Sequence, residues 1–287
     1  MPPEINVIKE IVKANAMAVY QDAAQPSLRV VGKTLAQCVS LFTTPIGRMA
    51  GIFEKNLHRY IDKLEGLEEK DLVTPDIRIL VPVLEKMRFT DEEKVADYYA
   101  EILATASKKE HASKVMVTFI EILNRLTADE INILEYINSE ENKIPLSGFT
   151  EEEFKKYGLS TEIKELVLSK SLPVIDINVT NEGLNGYIKL VKNFNCLKEN
   201  ILLTAPENID LYIDNMISLG LLERTLGEKF ATEKIYDHLE KHKEVVGIRS
   251  KLLSNQRLEL RKGKINTTDL GIKLLALCSH KNKIKNS

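Results

Sequence analysis

Along most of this chain apolar residues recur at helical spacing, with charged residues filling the gaps. Ile5, Ile8, Ile11, Val12, Ala16 and Val19, separated by Lys9, Glu10 and Lys13, predict an amphipathic helix with one core-facing stripe. Pro26 ends it or opens the next element. Leu57, Ile61 and Leu64 carry a helix to Gly66, and Thr74-Pro-Asp then marks a break from which Asp76 can cap the helix of Ile77, Leu80, Val81, Leu84 and Met87. Thr90-Asp-Glu-Glu reads as a capping box for the helix of Val95, Tyr98, Tyr99, Ile102 and Leu103. His111-Ala-Ser starts a further helix through Val115, Phe119, Ile122 and Leu126. Thr127-Ala-Asp-Glu is a second capping box, ahead of Ile131, Leu134, Tyr136 and Ile137.

The pattern changes after residue 139. Gly148, Gly158, Pro173, Gly183, Gly186 and Pro206 punctuate a weakly periodic stretch. Glu151-Glu-Glu-Phe reads as a short helix start there, and Val174-Ile-Asp-Ile-Asn-Val as a strand. Pro206-Glu-Asn opens a helix with Ile209, Leu211, Tyr212, Met216 and Leu219, ended by Gly220. Leu221–Arg224 reads as a short strand and Thr232–Leu253 as a charged helix. Gln256–Thr268 reads as a two-stranded ribbon turning at Lys262-Gly263, and Asp269–Cys278 as a closing helix. The fold expected is mainly α. A helical domain spans residues 1–126, a winged-helix-like α+β domain with insertions spans 127–280, and 281–287 is a basic tail, expected to be frayed.

One segment breaks the helical rhythm by being apolar almost throughout. Between Leu35 and Phe53 the only charge is Arg48. The length approaches what a bilayer span needs, but Gln37, Ser40, Thr43 and Thr44 dilute it, and Pro45 with Gly47 would bend it. Burial against the protein's own core or a second copy is the preferred reading, through Leu35, Val39, Leu41, Phe42, Ile46, Ile52 and Phe53. Arg29, Lys33, Lys55 and Arg59 bracket the segment, so it is also the element expected to meet a membrane if the protein is activated.

Composition narrows the function classes. Apolar residues make up 44% and charged residues 29% of 287 residues, the balance of a globular protein. A net charge of -2 gives no global attraction to nucleic acid or anionic lipid. There is no Trp and aromatics are only 6%, which leaves little for a stacking platform. Cys38, Cys196 and Cys278 are odd in number and widely spaced, so free thiols in a reducing cytoplasm are expected. The first residues lack the features of an export signal, which agrees with a cytoplasmic address.

Candidate chemistry is sparse. None of the phosphate-binding, nucleophile-elbow or zinc-protease motifs occurs. His238 and His242 stand four residues apart on an expected helix, a spacing that can bind a metal. Their surroundings are those of a solvated charged face. Glu151, Glu152 and Glu153 suit a helix start better than a metal. No catalytic residue, cofactor or metal is therefore expected. The helix–strand–ribbon–helix order of the last third suggests a winged helix, which often reads DNA. Arg257, Arg261, Lys262 and Lys264 would form a basic wing for phosphates. The candidate recognition helix carries Glu207, Asp210 and Asp214 and no Lys or Arg before Arg224, so DNA is disfavoured and contact with protein is preferred.

Several stretches together resemble the abortive-infection alpha family, a bacterial group associated with phage defence. They are Tyr20-Gln-Asp-Ala-Ala-Gln-Pro, Val31-Gly-Lys-Thr-Leu, Thr74-Pro-Asp-Ile-Arg-Ile-Leu-Val-Pro-Val-Leu-Glu, Tyr99-Ala-Glu-Ile-Leu-Ala-Thr-Ala-Ser and Leu126-Thr-Ala-Asp-Glu. The Ile213–Arg224 and Thr268–Cys278 patterns complete the set. The resemblance covers most of the chain outside residues 139–205 and implies a defence role without supplying catalytic residues. The expectation is a non-enzymatic factor that binds another protein, from host or phage, with self-association as a further possibility.

Overall fold

Asp76 accepts a hydrogen bond from the Arg78 N–H at 2.8 Å and so caps the helix that its position in the sequence suggests. That helix belongs to a computed structural model describing residues 48–139, 171–183, 185–226, 229–230 and 233–278. The expected helix of Ile5–Val19, Leu35, Val39, Leu41, Phe42 and Ile46 of the apolar segment, Cys38, Glu151–Glu153 and the tail lie outside the described residues. The described chain divides into two compact units. The first holds residues 48–128 with 274–278, and the second holds 129–273.

In the first unit the helices are α1 (Arg48–Asp62), α2 (Ile77–Met87), α3 (Glu93–Ala106) and α4 (Val117–Leu123). α3 is central and packs against the other three. Its Ala96, Ala100, Ala104 and Ala106 are buried along with Tyr98, Tyr99, Ile102 and Leu103. Short side chains let neighbouring helices approach closely, while the tyrosines and aliphatics supply the buried area. α1 contributes Phe53, Leu57, Tyr60 and Ile61 to this core, and Ile52 is half-buried. Asn56 donates from Nδ2 to the Met87 and Thr90 carbonyls at 2.8 and 2.7 Å, satisfying acceptors that the end of α2 leaves open. The Thr90 capping box does not form as expected. Thr90 Oγ1 donates to the Lys86 carbonyl at 2.9 Å, Glu92 is the N-cap residue of α3, and its side chain makes no cap bond. The hydroxyl has gone to the helix behind it.

The second unit is not all-α. Between α5 (Ala128–Ile137) and α10 (Asp269–Cys278) it carries β1 (Ser171–Asn181), β2 (Ile188–Phe194), β3 (Leu222–Leu226) and β4 (Gln256–Thr267). Among the strands lie α6 (Leu197–Asn200), α7 (Ile209–Ser218), α8 (Asp237–Glu240) and α9 (Lys243–Ser250). The strands form an antiparallel sheet in the order β2-β1-β4-β3. β1 and β4 pair along their whole length, from Ser171↔Asn266 to Asn181↔Gln256. Pro173 is no break. It sits within β1, at a position beyond the reach of β2, whose pairing starts at Ile175.

Two expected elements are corrected. Gln256–Thr267 is one continuous strand rather than a ribbon turning at Lys262-Gly263. Gly263 stays out of the left-handed region, and its carbonyl accepts from the buried Tyr236 hydroxyl at 2.9 Å. Its glycine coincides with close approach of a side chain, not with a turn. The expected Thr232–Leu253 helix is broken into a 3₁₀ turn over Glu233–Tyr236, then α8 and α9. His242 is extended, with φ -61° and ψ 143°, and its ring caps α9.

Two glycines have specific structural duties. Gly220, with φ +74°, ends α7, and the Leu221 N–H then reaches back to the Met216 carbonyl at 2.9 Å. At Gly271 a Cβ would lie 2.5 Å from the Leu221 carbonyl oxygen and 2.7 Å from Thr267 Cγ2, so only glycine lets α10 start against this turn.

Candidate functional site

β1 alternates, and its two faces differ chemically. Ile175 and Ile177 pack with Phe194, Phe230, Ile235, Tyr236, Leu239 and Val245 in an apolar cluster. Asp176 and Asn178 take the opposite face, because successive strand residues point to opposite sides. Partners directly across an antiparallel pair share a face. Arg261, Glu259 and Arg257, opposite Asp176, Asn178 and Thr180, therefore lie on the Asp176 side. Arg224 on β3, opposite Ile265 of β4, lies there too.

Asp176 is only 2% exposed and is the centre of this face. It accepts from Lys189 Nζ at 2.8 Å, from the Asn193 N–H at 3.0 Å and from Arg224 Nη2. Burial pushes its carboxyl up. The Lys189 ammonium, the Asn193 N–H and the Arg224 guanidinium outweigh that and hold it below the usual carboxylate range. The backbone adapts to make these contacts. Asn193 has φ +52°, and the β1–β2 register shifts between Ile175 and Asn178. Beside it Lys192 donates to both carboxylate oxygens of Asp214 on α7, at 2.6 and 2.7 Å. The buried amides of Asn178 and Asn193 and the Arg224 Nε have no hydrogen-bond partner among the described residues. This arrangement keeps the charges fixed. Asp176 is too fully engaged to shuttle protons.

A second anchor holds the start of α5. The buried Asp129 accepts from the Thr204 N–H at 2.9 and 3.0 Å, the Ala205 N–H at 3.0 Å and the Tyr212 hydroxyl at 3.1 Å. Burial raises its carboxyl, and the Thr204 and Ala205 N–H groups with the Tyr212 hydroxyl bring it below the ordinary value. Glu130 accepts from Asn215 Nδ2 at 2.6 Å. The acids of Thr127-Ala-Asp-Glu thus make long-range bonds that bind α7 and the loop before it, beyond the helix start that the sequence suggests.

The four basic residues read as a wing do not form one surface. Arg257 and Arg261 lie on the Asp176 face. Lys262 and Lys264 lie on the opposite face, across from Ile175 and Pro173. Arg257 pairs with Glu182 at 2.5 Å. The Arg261 guanidinium stands 5.1 Å from the centre of the Tyr187 ring and 3.5 Å from Glu259. Lys262 pairs with Glu240 at 2.6 Å and lies over Tyr236.

The histidines also separate. The break before α9 removes the shared helical face of His238 and His242. His242 Nε2 instead lies 3.3 Å from Glu199 Oε1, and Cys196 completes a group whose ligand atoms all fall within 4.8 Å of one another. Burial pushes the Cys196 thiol up to about 11, with Glu199 adding to the effect, so at neutral pH it is a thiol and a poor nucleophile. Neither the Asp176 network nor this corner is visible as a motif. The clue to the first is an acid inside an apolar strand pattern, since a buried acid needs partners. The Cys196–Glu199 spacing is a weak clue to the second.

No described helix is long and apolar enough to cross a membrane. With its helices followed by a mixed unit around an antiparallel sheet, the chain is a mixed α+β protein whose second unit displays a buried charge centre. It belongs to the abortive infection alpha family, whose family model matches residues 52–278. No curated protein and no solved structure matches the chain.

Proposed function

We propose that this chain defends bacteria against phage by binding another protein, without catalytic turnover, and that the contact lies at the β2 edge of the sheet. Membership of the abortive infection alpha family supports the defence role. The observation that carries the binding mode is the exposure of large apolar residues there: Tyr187 at 46%, Ile188 at 59% and Leu190 at 48%. Among the described residues no strand pairs with the outer side of β2. An open edge offers backbone donors and acceptors to an extended segment, and apolar side chains beside it give that segment something to cover. The partner expected is an extended protein segment with alternating apolar residues and an acidic flank for Arg261.

The order α7, Gly220, β3, β4, α10 supports a winged-helix-like scaffold at the end of the sheet away from this edge. Protein contact suits it better than DNA. α7 carries Asp210 and Asp214 and no basic residue, and the basic residues of β4 are divided between two faces. Plaque assays on a bacterium expressing the chain test the proposal. Wild type is expected to restrict plaques, and Ile188→Lys with Leu190→Lys to abolish restriction while leaving expression and thermal melting unchanged. Full restriction by that folded double variant would overturn the binding site. Turnover by the purified protein that accounts for restriction would overturn the non-catalytic mode.

A further inference from the structure

We propose that Cys196, Glu199 and His242 form a binding site for a transition metal ion of the zinc class. The three residues offer a sulfur, a carboxylate oxygen and an imidazole nitrogen within 4.8 Å of one another. A zinc ion holds such ligands at about 2.0–2.3 Å, so tetrahedral ligand atoms stand roughly 3–4 Å apart. His242 Nε2 and Glu199 Oε1 already have that spacing at 3.3 Å. Closing the site needs a side-chain shift of about an ångström at the sulfur, together with release of the bond that His242 makes to the start of α9. The donor set discriminates among ions. A thiolate with an imidazole favours zinc, cobalt or copper over magnesium and calcium, which prefer all-oxygen shells.

The surrounding structure positions the ligands. Asn195 Oδ1 accepts from the Leu197 N–H at 2.9 Å, and its Nδ2 donates to the Asn193 carbonyl at 2.7 Å, fixing the turn that carries Cys196. Phe194 packs on the His242 ring with centroids 5.2 Å apart. Lys198 and Glu244 form an ion pair joining the same two chain segments. Cys196 and His242 are half-buried and Glu199 is exposed, which leaves a path from solvent and a fourth position for water.

His242 Nδ1 accepts from the Glu244 N–H at 3.3 Å, so the neutral ring carries its proton on Nε2. Metal binding at Nε2 moves that proton to Nδ1 and gives up this cap. The Cys196 thiol loses its proton to solvent as the sulfur–metal bond forms. One proton is released per ion, and no electron is transferred. The ion would clamp the corner after β2 to the start of α9.

The test is titration of the purified full chain, stripped with chelator, by cobalt(II) and then zinc(II) under reducing conditions. One cobalt per chain is expected, with a thiolate-to-cobalt charge-transfer band that zinc removes. Cys196→Ser should eliminate the band. Glu199→Gln, an exposed change that spares the fold, should weaken binding about tenfold or more, while Cys278→Ser should leave both band and affinity unchanged. Absence of a stoichiometric band, or a band that survives Cys196→Ser, overturns the proposal. Unchanged affinity in a Glu199→Gln chain with wild-type circular dichroism overturns Glu199 as a ligand.

Discussion

Ile175 and Ile177 leave β1 toward one side and Asp176 and Asn178 toward the other, and the two sides are built by different physics. On the first, aliphatic and aromatic side chains from three parts of the chain meet in an apolar cluster. On the second, a buried carboxylate is offset by Lys189, Arg224 and a backbone N–H, beside buried amides that have no partner among the described residues. Apolar burial is a reliable source of stability. A buried ion pair commonly gains little over apolar residues of the same shape, yet removing one partner is costly. The apolar side thus holds the sheet in place, and the polar side fixes charges and the path of β2. The edge proposed for partner contact is the strand that the polar side holds.

The largest effect is expected on the apolar side. Ile177→Ala should destabilise the chain by about 2–5 kcal/mol in denaturant unfolding, because the cluster cannot collapse fully around the gap. Arg224→Met should cost about 2 kcal/mol, below the usual loss for an orphaned buried charge because Lys189 remains beside Asp176. The double variant Asp176→Leu with Arg224→Met should recover much of that loss. Full additivity of the two changes would mean that the pair is not coupled.

The pH dependence has a definite sign. Asp176 and Asp129 have folded pKa values below their ordinary value of 3.8. Their contribution is fully present above that value and is lost as pH falls through the lower folded values. Thermal melting between pH 6 and pH 2 should therefore show a smaller acid-linked loss in the double variant than in wild type. An identical acid profile would contradict the assignment for Asp176.

Asn178→Val should raise stability by about 1 kcal/mol, since it removes a buried amide that has no partner among the described residues and places a β-branched residue in a strand. The smallest change belongs to Lys192→Ala. It breaks an ion pair whose side chains are 38% and 45% exposed, so about 0–1 kcal/mol is expected in the same unfolding measurement.

Much of the helical architecture was legible because the longer helices repeat their apolar stripe over several turns and many carry their own punctuation. Asp76 caps where its position before Ile77 suggests, and Gly220 ends α7. The family resemblance rests on several short stretches and their order, and those from Thr74 onward fall within the matched residues 52–278. β4 was misread because Lys262-Gly263 has the composition of a turn, while the duty of Gly263 depends on Tyr236 in a distant segment. The break at His242 carries no Gly or Pro, and the ring of His242 itself supplies the cap. Asp176, Lys189 and Arg224 are scattered in sequence and meet only through the pairings of the sheet. Cys196 and His242 meet only once β2 and α9 are in place.

The central claim, that the chain acts through protein contact at the β2 edge, is tested most directly by photo-crosslinking in phage-infected cells. A photoreactive residue is placed at Leu190, or at Val246 on α9, which is equally exposed at 48%. The account predicts a discrete protein adduct from position 190 during infection and none from position 246. Equal adducts from both positions, or none from 190 in cells that still restrict phage, would contradict it.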